Sequence, residues 1–197
     1  MLFRSRVLFE GGKTFTGNIE LDALDGNIAL QPLVLSTYGS GRATISTTVT
    51  TKCGLKATNL QGVHIKNLIF KGPGNGTQKD IDGILFFTDK SAGYLSNVSL
   101  TNVEVSGFGF CGIRFYSSWS ATVKSGYRGV RIDSCSVHDC RENGIVSFAY
   151  DDQSTNFYHH RDFQIRNTEV YNITGYAASS HKGSGIVRSE EHTSELQ

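Results

Sequence analysis

Excess charge of either sign is missing from this chain. Its 19 Lys and Arg balance 18 Asp and Glu, for a net charge of +1. That removes any field argument for nucleic acid or an anionic membrane surface as partner. No apolar run approaches the roughly 20 residues a membrane-spanning helix needs, so no span is expected. Cysteine is scarce too. Cys53, Cys111, Cys135 and Cys140 are too few for a disulfide scaffold at 197 residues, and they lack the paired CxxC or Cys/His spacing of a zinc site. Cys135 falls on an apolar period and reads as a small buried thiol. Proline (2) and methionine (1) are nearly absent, whereas glycine is plentiful at 22. With Val, Ile, Thr, Phe and Tyr spread throughout, this composition indicates a β-rich globular chain with many turns.

Four segments share one pattern: "VHIKNLIFKG" (63–72), "VSLTNVEVSG" (98–107), "VRIDSCSVHD" (130–139) and "FQIRNTEVYN" (163–172). Their starts lie 35, 32 and 33 residues apart. Each alternates apolar and polar residues, bends at Asn67, Asn102, Ser134 or Asn167, and alternates again. A period of two indicates strands with one face inward and excludes an array of helices. Asn tolerates the left-handed backbone a sharp corner needs, and stacked amides can form a ladder. Gly72, Gly107, Asp139 and Asn172 close the second strand with further turn formers. A third short block follows each pair: "GILFF" (83–87), "GIRFY" (112–116), "GIVSF" (144–148) and "GIV" (185–187). Three strands per repeat with one period predict a solenoid of parallel strands. A β-sandwich would show hairpin signals every 8–12 residues, far more often than this repeat recurs.

The Asn corners and Gly-Ile blocks resemble the right-handed parallel β-helix proteins of the pectate-lyase type. The upstream "RVLFEGGKTFTGNIEL" (6–21) and "PLVLSTYGSG" (32–41) resemble the first coil of bacterial β-helix proteins regarded as carbohydrate-active. The expected fold is therefore an all-β right-handed parallel β-helix. The ends carry a second resemblance. "RSEEHTSELQ" (188–197) is similar to the in-frame translation of a common sequencing adapter, and "LFRS" (2–5) to its opposite partner, with Met1 as an alternative start. On that reading residues 1–5 and 188–197 are not native, and Glu190, Glu191 and His192 form no site. Residues 6–187 are then a β-helix fragment of about five coils, truncated at both ends.

In register, Ile84, Ile113, Ile145 and Ile186 should face inward and stack about 4.8 Å apart. Leu85, Arg114, Val146 and Val187 then face outward, as do Phe87, Tyr116 and Phe148. That aromatic column is either a platform for a sugar ring or a cover beneath neighbouring loops. Residues 88–97, 117–129 and 149–162 read as loops that converge on one side of the stack. They carry Trp119, Lys124, Asp151, Asp152, His159 and His160, while Asp82 stands at the start of a Gly-Ile strand.

The resemblance implies a polysaccharide partner in a cleft along these strands, outside the cell or in the periplasm. It also implies one of two reactions. Inverting hydrolases use two separated carboxylates; lyases use a basic residue beside a uronate, often with calcium held on acids. By position, Asp151, Asp152 and Arg114 are the catalytic candidates, with Tyr116, Phe148, Trp119, Lys124, Asp82 and His160 as substrate contacts. No cofactor is evident, and calcium enters only with a lyase. Each candidate also has a plain alternative. Adjacent Asp151–Asp152 and His159–His160 point to opposite sides if extended, fit turns, and match no metal-ligand spacing. Arg114 can lie over Tyr116 as a surface arginine. A non-catalytic β-helix, an adhesin or a stalk, is the rival to an enzyme.

Overall fold

The structure is a computed structural model that describes residues 5–25, 31–76, 81–89, 93–118, 125–149, 159–176 and 183–190. Strands β1 (Arg6–Glu10), β2 (Thr14–Thr16) and β3 (Ile19–Leu21) form the first level, and β4 (Leu33–Tyr38), β5 (Ala43–Ser46) and β6 (Leu55–Thr58) the second. The third holds β7 (Val63–Lys66), β8 (Leu68–Lys71), β9 (Ile84–Thr88) and β10 (Gly93–Ser96). The fourth holds β11 (Val98–Thr101), β12 (Glu104–Ser106), β13 (Cys111–Ser117) and β14 (Ser125–Arg128). The fifth holds β15 (Arg131–Asp133), β16 (Ser136–His138), β17 (Asn143–Ala149) and β18 (His160–Arg161). The last holds β19 (Gln164–Arg166), β20 (Glu169–Tyr171) and β21 (Ser184–Glu190). First strands pair with first strands, second with second and third with third, giving three six-stranded parallel sheets. The chain is a parallel β-solenoid, with no helix among the described residues.

Register puts like on like. Leu35, Ile65, Leu100 and Ile132 line up in the first sheet, and Ile45, Phe70, Val105 and Val137 in the second. In the third sheet Leu55, Ile84, Ile113 and Ile145 line up and are buried. Full burial of such a side chain stabilises by about 1.5–3 kcal/mol. Phe86 and Phe115 stack inside the same sheet at 4.8 Å with planes 3° apart. The next position is Ser147, where the aromatic ladder stops. Ile186 continues the isoleucine column but is 55% exposed, because β21 is the last strand of its sheet.

The corners follow the sequence reading. Asn67, Asn102, Ser134 and Asn167 all have φ between 48° and 56°. The Asn102 amide donates to Asn67 Oδ1 at 2.9 Å, and Asn167, above Ser134, donates instead to Asp133 Oδ1 at 3.0 Å. Gly107, Asp139 and Asn172 form a second left-handed column. Gly72 is fixed by space: a Cβ there would sit 2.2 Å from the Gly107 carbonyl oxygen.

One expectation needs correction. Residues 93–96, 125–128 and 160–161, read as loop ends, form β10, β14 and β18, a fourth parallel sheet of three strands. Leu95, Tyr127 and His160 share its inward positions and close the core. A third left-handed column, Gly62, Asn97, Gly129 and Asp162, turns the chain from this side into the first sheet. Strand β21 runs over Ser184–Glu190 and so crosses residue 187. Backbone pairing tolerates most sequences, so that continuation does not speak to the origin of the tail.

Candidate functional site

The outward face of β9, β13 and β17 carries the chemistry. Each strand is preceded or begun by a polar residue, then Gly, then Ile: Asp82-Gly83-Ile84, Cys111-Gly112-Ile113 and Asn143-Gly144-Ile145. Cys53-Gly54-Leu55 and Ser184-Gly185-Ile186 extend the series on either side. Pairing of Leu55 with Ile84, Ile84 with Ile113, and Ile145 with both Ile113 and Ile186 makes the preceding residues one column: Cys53, Asp82, Cys111, Asn143, Ser184. Gly83, Gly112 and Gly144 are required because a valine of the second sheet lies close to each. A Cβ on Gly112 would meet Val137 Cγ1 at 2.2 Å and the Gly144 oxygen at 2.9 Å.

Asp82 is fully buried, and Arg114 reaches back to it from the next level. Nε and Nη2 of Arg114 both donate to Asp82 Oδ2, at 3.0 and 2.8 Å. The Cys111 backbone N–H donates to Oδ1 at 3.3 Å. The guanidinium lies 4.7 Å from the Phe110 ring centre and 5.2 Å from that of Tyr116. Burial pushes the Asp82 carboxyl up to about 6, although Arg114 and the Cys111 N–H pull it down. For Arg114, burial pulls the pKa down most, but the charge and hydrogen bond of Asp82 together with the neighbouring Cys111 and Cys53 raise it overall, so the guanidinium stays a cation. Burial likewise raises the Cys53 and Cys111 thiols, which removes them as thiolate nucleophiles at neutral pH.

Beside the pair is a recess of about 220 Å³, walled by Phe110, Tyr116 and Phe148, with Cys111, Arg114, Asn143 and Val146 completing it. Phe87, Tyr116 and Phe148 run along the face as tilted neighbours, with ring centres 5.4 and 5.8 Å apart. Asn143 is 2% exposed. Its Nδ2 makes only a long 3.9 Å contact to Cys111 Sγ, and its Oδ1 has no hydrogen-bond partner. A larger cavity of about 360 Å³ lies between the last two levels, bordered by Ile145, Phe163, Ile165 and Ile186. It continues the interior where β21 is the last strand, and Ser147, His160, Arg161, Asp162 and Arg188 also line it.

The structure thus brings together Arg114, Asp82, Tyr116 and Phe148 from the sequence-based candidates. Asp82 is beneath the surface and acts through Arg114. His160 is on the inner side instead: 2% exposed, it accepts from the Tyr127 N–H through Nδ1 at 3.3 Å and meets the Phe148 carbonyl through Nε2 at 3.1 Å. Burial lowers its pKa to about 4, so the ring is neutral. That position makes it a support for the strand behind the groove rather than a contact within it. Asp151, Asp152, Trp119 and Lys124 lie outside the described residues. Among the described residues no three His, Cys, Asp or Glu side chains are grouped to hold a metal ion.

Asn143, Cys111 and Phe110 are site residues the sequence reading did not single out. The signal was present in the residue before each Gly-Ile block, which varies while the block repeats. Comparison with protein-family models, curated proteins and solved structures gives no match. The geometry of this face therefore carries the functional reading alone.

Proposed function

We propose that this chain is part of a carbohydrate-active β-helix protein, related in architecture to the pectate-lyase-like group, that carries an extended polysaccharide along β9, β13 and β17. The observation behind it is the half-buried column Phe87, Tyr116 and Phe148 beside a guanidinium held in place by Asp82. Aromatic faces at this spacing suit pyranose rings, and an anchored arginine offers directed donors to ring substituents. A secreted protein acting as lyase or hydrolase fits this reading, with Asp151 and Asp152, which follow β17 in the sequence, as its candidate carboxylates. Arg114 suits binding better than proton abstraction, since its pairing with Asp82 favours the charged form.

A second reading has its own support: the groove's carboxylate, Asp82, has no exposed surface and is held by Arg114. That favours a non-catalytic adhesin or stalk. Binding of a glycan panel, followed by turnover assays, separates the readings. Tyr116→Ala with Phe148→Ala should lower glycan affinity about tenfold or more, each ring contributing on the order of 1 kcal/mol. If turnover is seen, loss of it in Asp151→Ala with binding kept supports the enzyme. Glycan binding without any turnover supports the adhesin, and absence of binding across the panel removes both.

A further inference from the structure

Resting on the glycan reading, we propose that the recess between β13 and β17 takes a neutral sugar ring and discriminates against uronates. Three features of the recess carry this. First, its charges do not favour an anion. The Arg114 guanidinium is matched by Asp82, and the carboxyl of Glu142, itself 7% exposed, lies close enough to act on Cys111 beside them. Among the described residues, Lys56 is a further cation of this face, and it sits over Phe87, two strands away from Asn143.

Second, the unmet hydrogen-bond capacity is mixed. Arg114 Nη1 makes no hydrogen bond among the described residues, so a donor remains. Asn143 Oδ1 is an acceptor without a partner. A hydroxyl group both gives and accepts, so vicinal hydroxyls answer Nη1 and Oδ1 together. A carboxylate only accepts; it would face Oδ1 lone pair to lone pair. An unmet buried acceptor costs about 1–3 kcal/mol, which a ligand hydroxyl recovers on binding. Third, the rest of the lining is largely apolar: Phe110, Val146, Phe148 and the ring of Tyr116. At about 220 Å³ the recess is below the roughly 300–1,000 Å³ of pockets for drug-sized ligands. It is sized for a single ring of a chain that continues along the aromatic column.

The test is calorimetry and saturation-transfer NMR at pH 8 with neutral hexasaccharides built on xylose, glucose, mannose and galactose, against hexamers of galacturonate and mannuronate. The expected result is that at least one neutral oligomer binds and outcompetes every uronate by about tenfold or more. Asn143→Leu should weaken that binding about tenfold without lowering the melting temperature. A uronate binding as tightly as the best neutral oligomer overturns this inference and leaves the glycan reading standing. Unchanged neutral affinity in both Asn143→Leu and Asn143→Ser also overturns it. No binding by any oligomer overturns the glycan reading itself. Should Asn143→Leu fail to fold, the neutral-against-uronate ratio of the unaltered chain still decides.

Discussion

Two columns run side by side through the third sheet and obey opposite rules. Leu55, Ile84, Ile113 and Ile145 stack on the inside, nearly identical from level to level. Two residues earlier at each level stand Cys53, Asp82, Cys111 and Asn143, no two neighbours alike. The inner column repeats because each level presents a similar buried slot, and one side-chain shape fills it. The outer column is free of that constraint. It carries a buried charge, two thiols and an amide with an unmet acceptor. In a solenoid, repetition marks packing and departure from it marks the place to look for function.

The sharpest way to break this contrast is to truncate one member of the inner column. Ile113→Ala opens a cavity between Ile84 and Ile145, with Phe115 nearby on the same strand. It should cost about 2–5 kcal/mol of unfolding free energy, measured by urea denaturation. Asn143→Leu, on the neighbouring strand of the same sheet, should cost nothing. Comparable losses from both would erase the distinction between the columns.

The next effect is in pH. Asp82 has its folded pKa raised to about 6 from an ordinary value of 3.8. Its contribution to stability is full below the ordinary value and is lost as pH rises towards and through 6. His160 has its folded pKa lowered to about 4 from 6.5, so its contribution is present above 6.5 and lost as pH falls towards 4. Each shift corresponds to about 3 kcal/mol at 1.36 kcal/mol per pKa unit, and the two oppose each other between pH 4 and 6. Asp82→Asn should leave the His160 slope exposed, with stability rising with pH across this window. His160→Gln should leave the Asp82 slope, with stability falling. Parallel pH profiles for the two variants would refute the assignment. Asp82 faces Arg114, Cys53 and Cys111, and of these only Arg114 is charged in this window.

The same contrast explains what could be read in the sequence. The corners at Asn67, Asn102 and Asn167 and the columns of β9, β13 and β17 were readable because they repeat, and repetition multiplies a weak local signal. The fourth sheet was not. Gly93–Ser96, Ser125–Arg128 and His160–Arg161 share no residue pattern, and their common trait, an inward Leu95, Tyr127 or His160, emerges only once they are stacked. The burial of Asp82 was also out of reach. A lone acid before a glycine looks like a turn former, and only the return of Arg114 from the next level reveals an ion pair. His160 misled for the related reason that a histidine in a polar stretch gives no hint of which side of the wall it faces.

The smallest effect concerns the corners, where a third kind of column repeats its backbone rather than its side chain. Asn102 has a φ of 54° and donates its amide to Asn67 Oδ1. Holding a residue with a Cβ in this conformation costs roughly 1–2 kcal/mol, least for Asn and absent for Gly. Asn102→Ala should therefore lose about 1–2 kcal/mol, from backbone strain plus an exposed hydrogen bond. Asn102→Gly loses the same hydrogen bond but relieves the strain, and should stay within about 1 kcal/mol of the unaltered chain. Equal losses in the two variants would mean the amide ladder, not the left-handed backbone, holds the corner. Ser134 already argues for the backbone: it sits at the equivalent corner with a φ of 54° and no amide to contribute. Substituting Asn there should restore a ladder step toward Asn102 and raise stability by a few tenths of a kcal/mol at most, as a solvent-exposed hydrogen bond adds little.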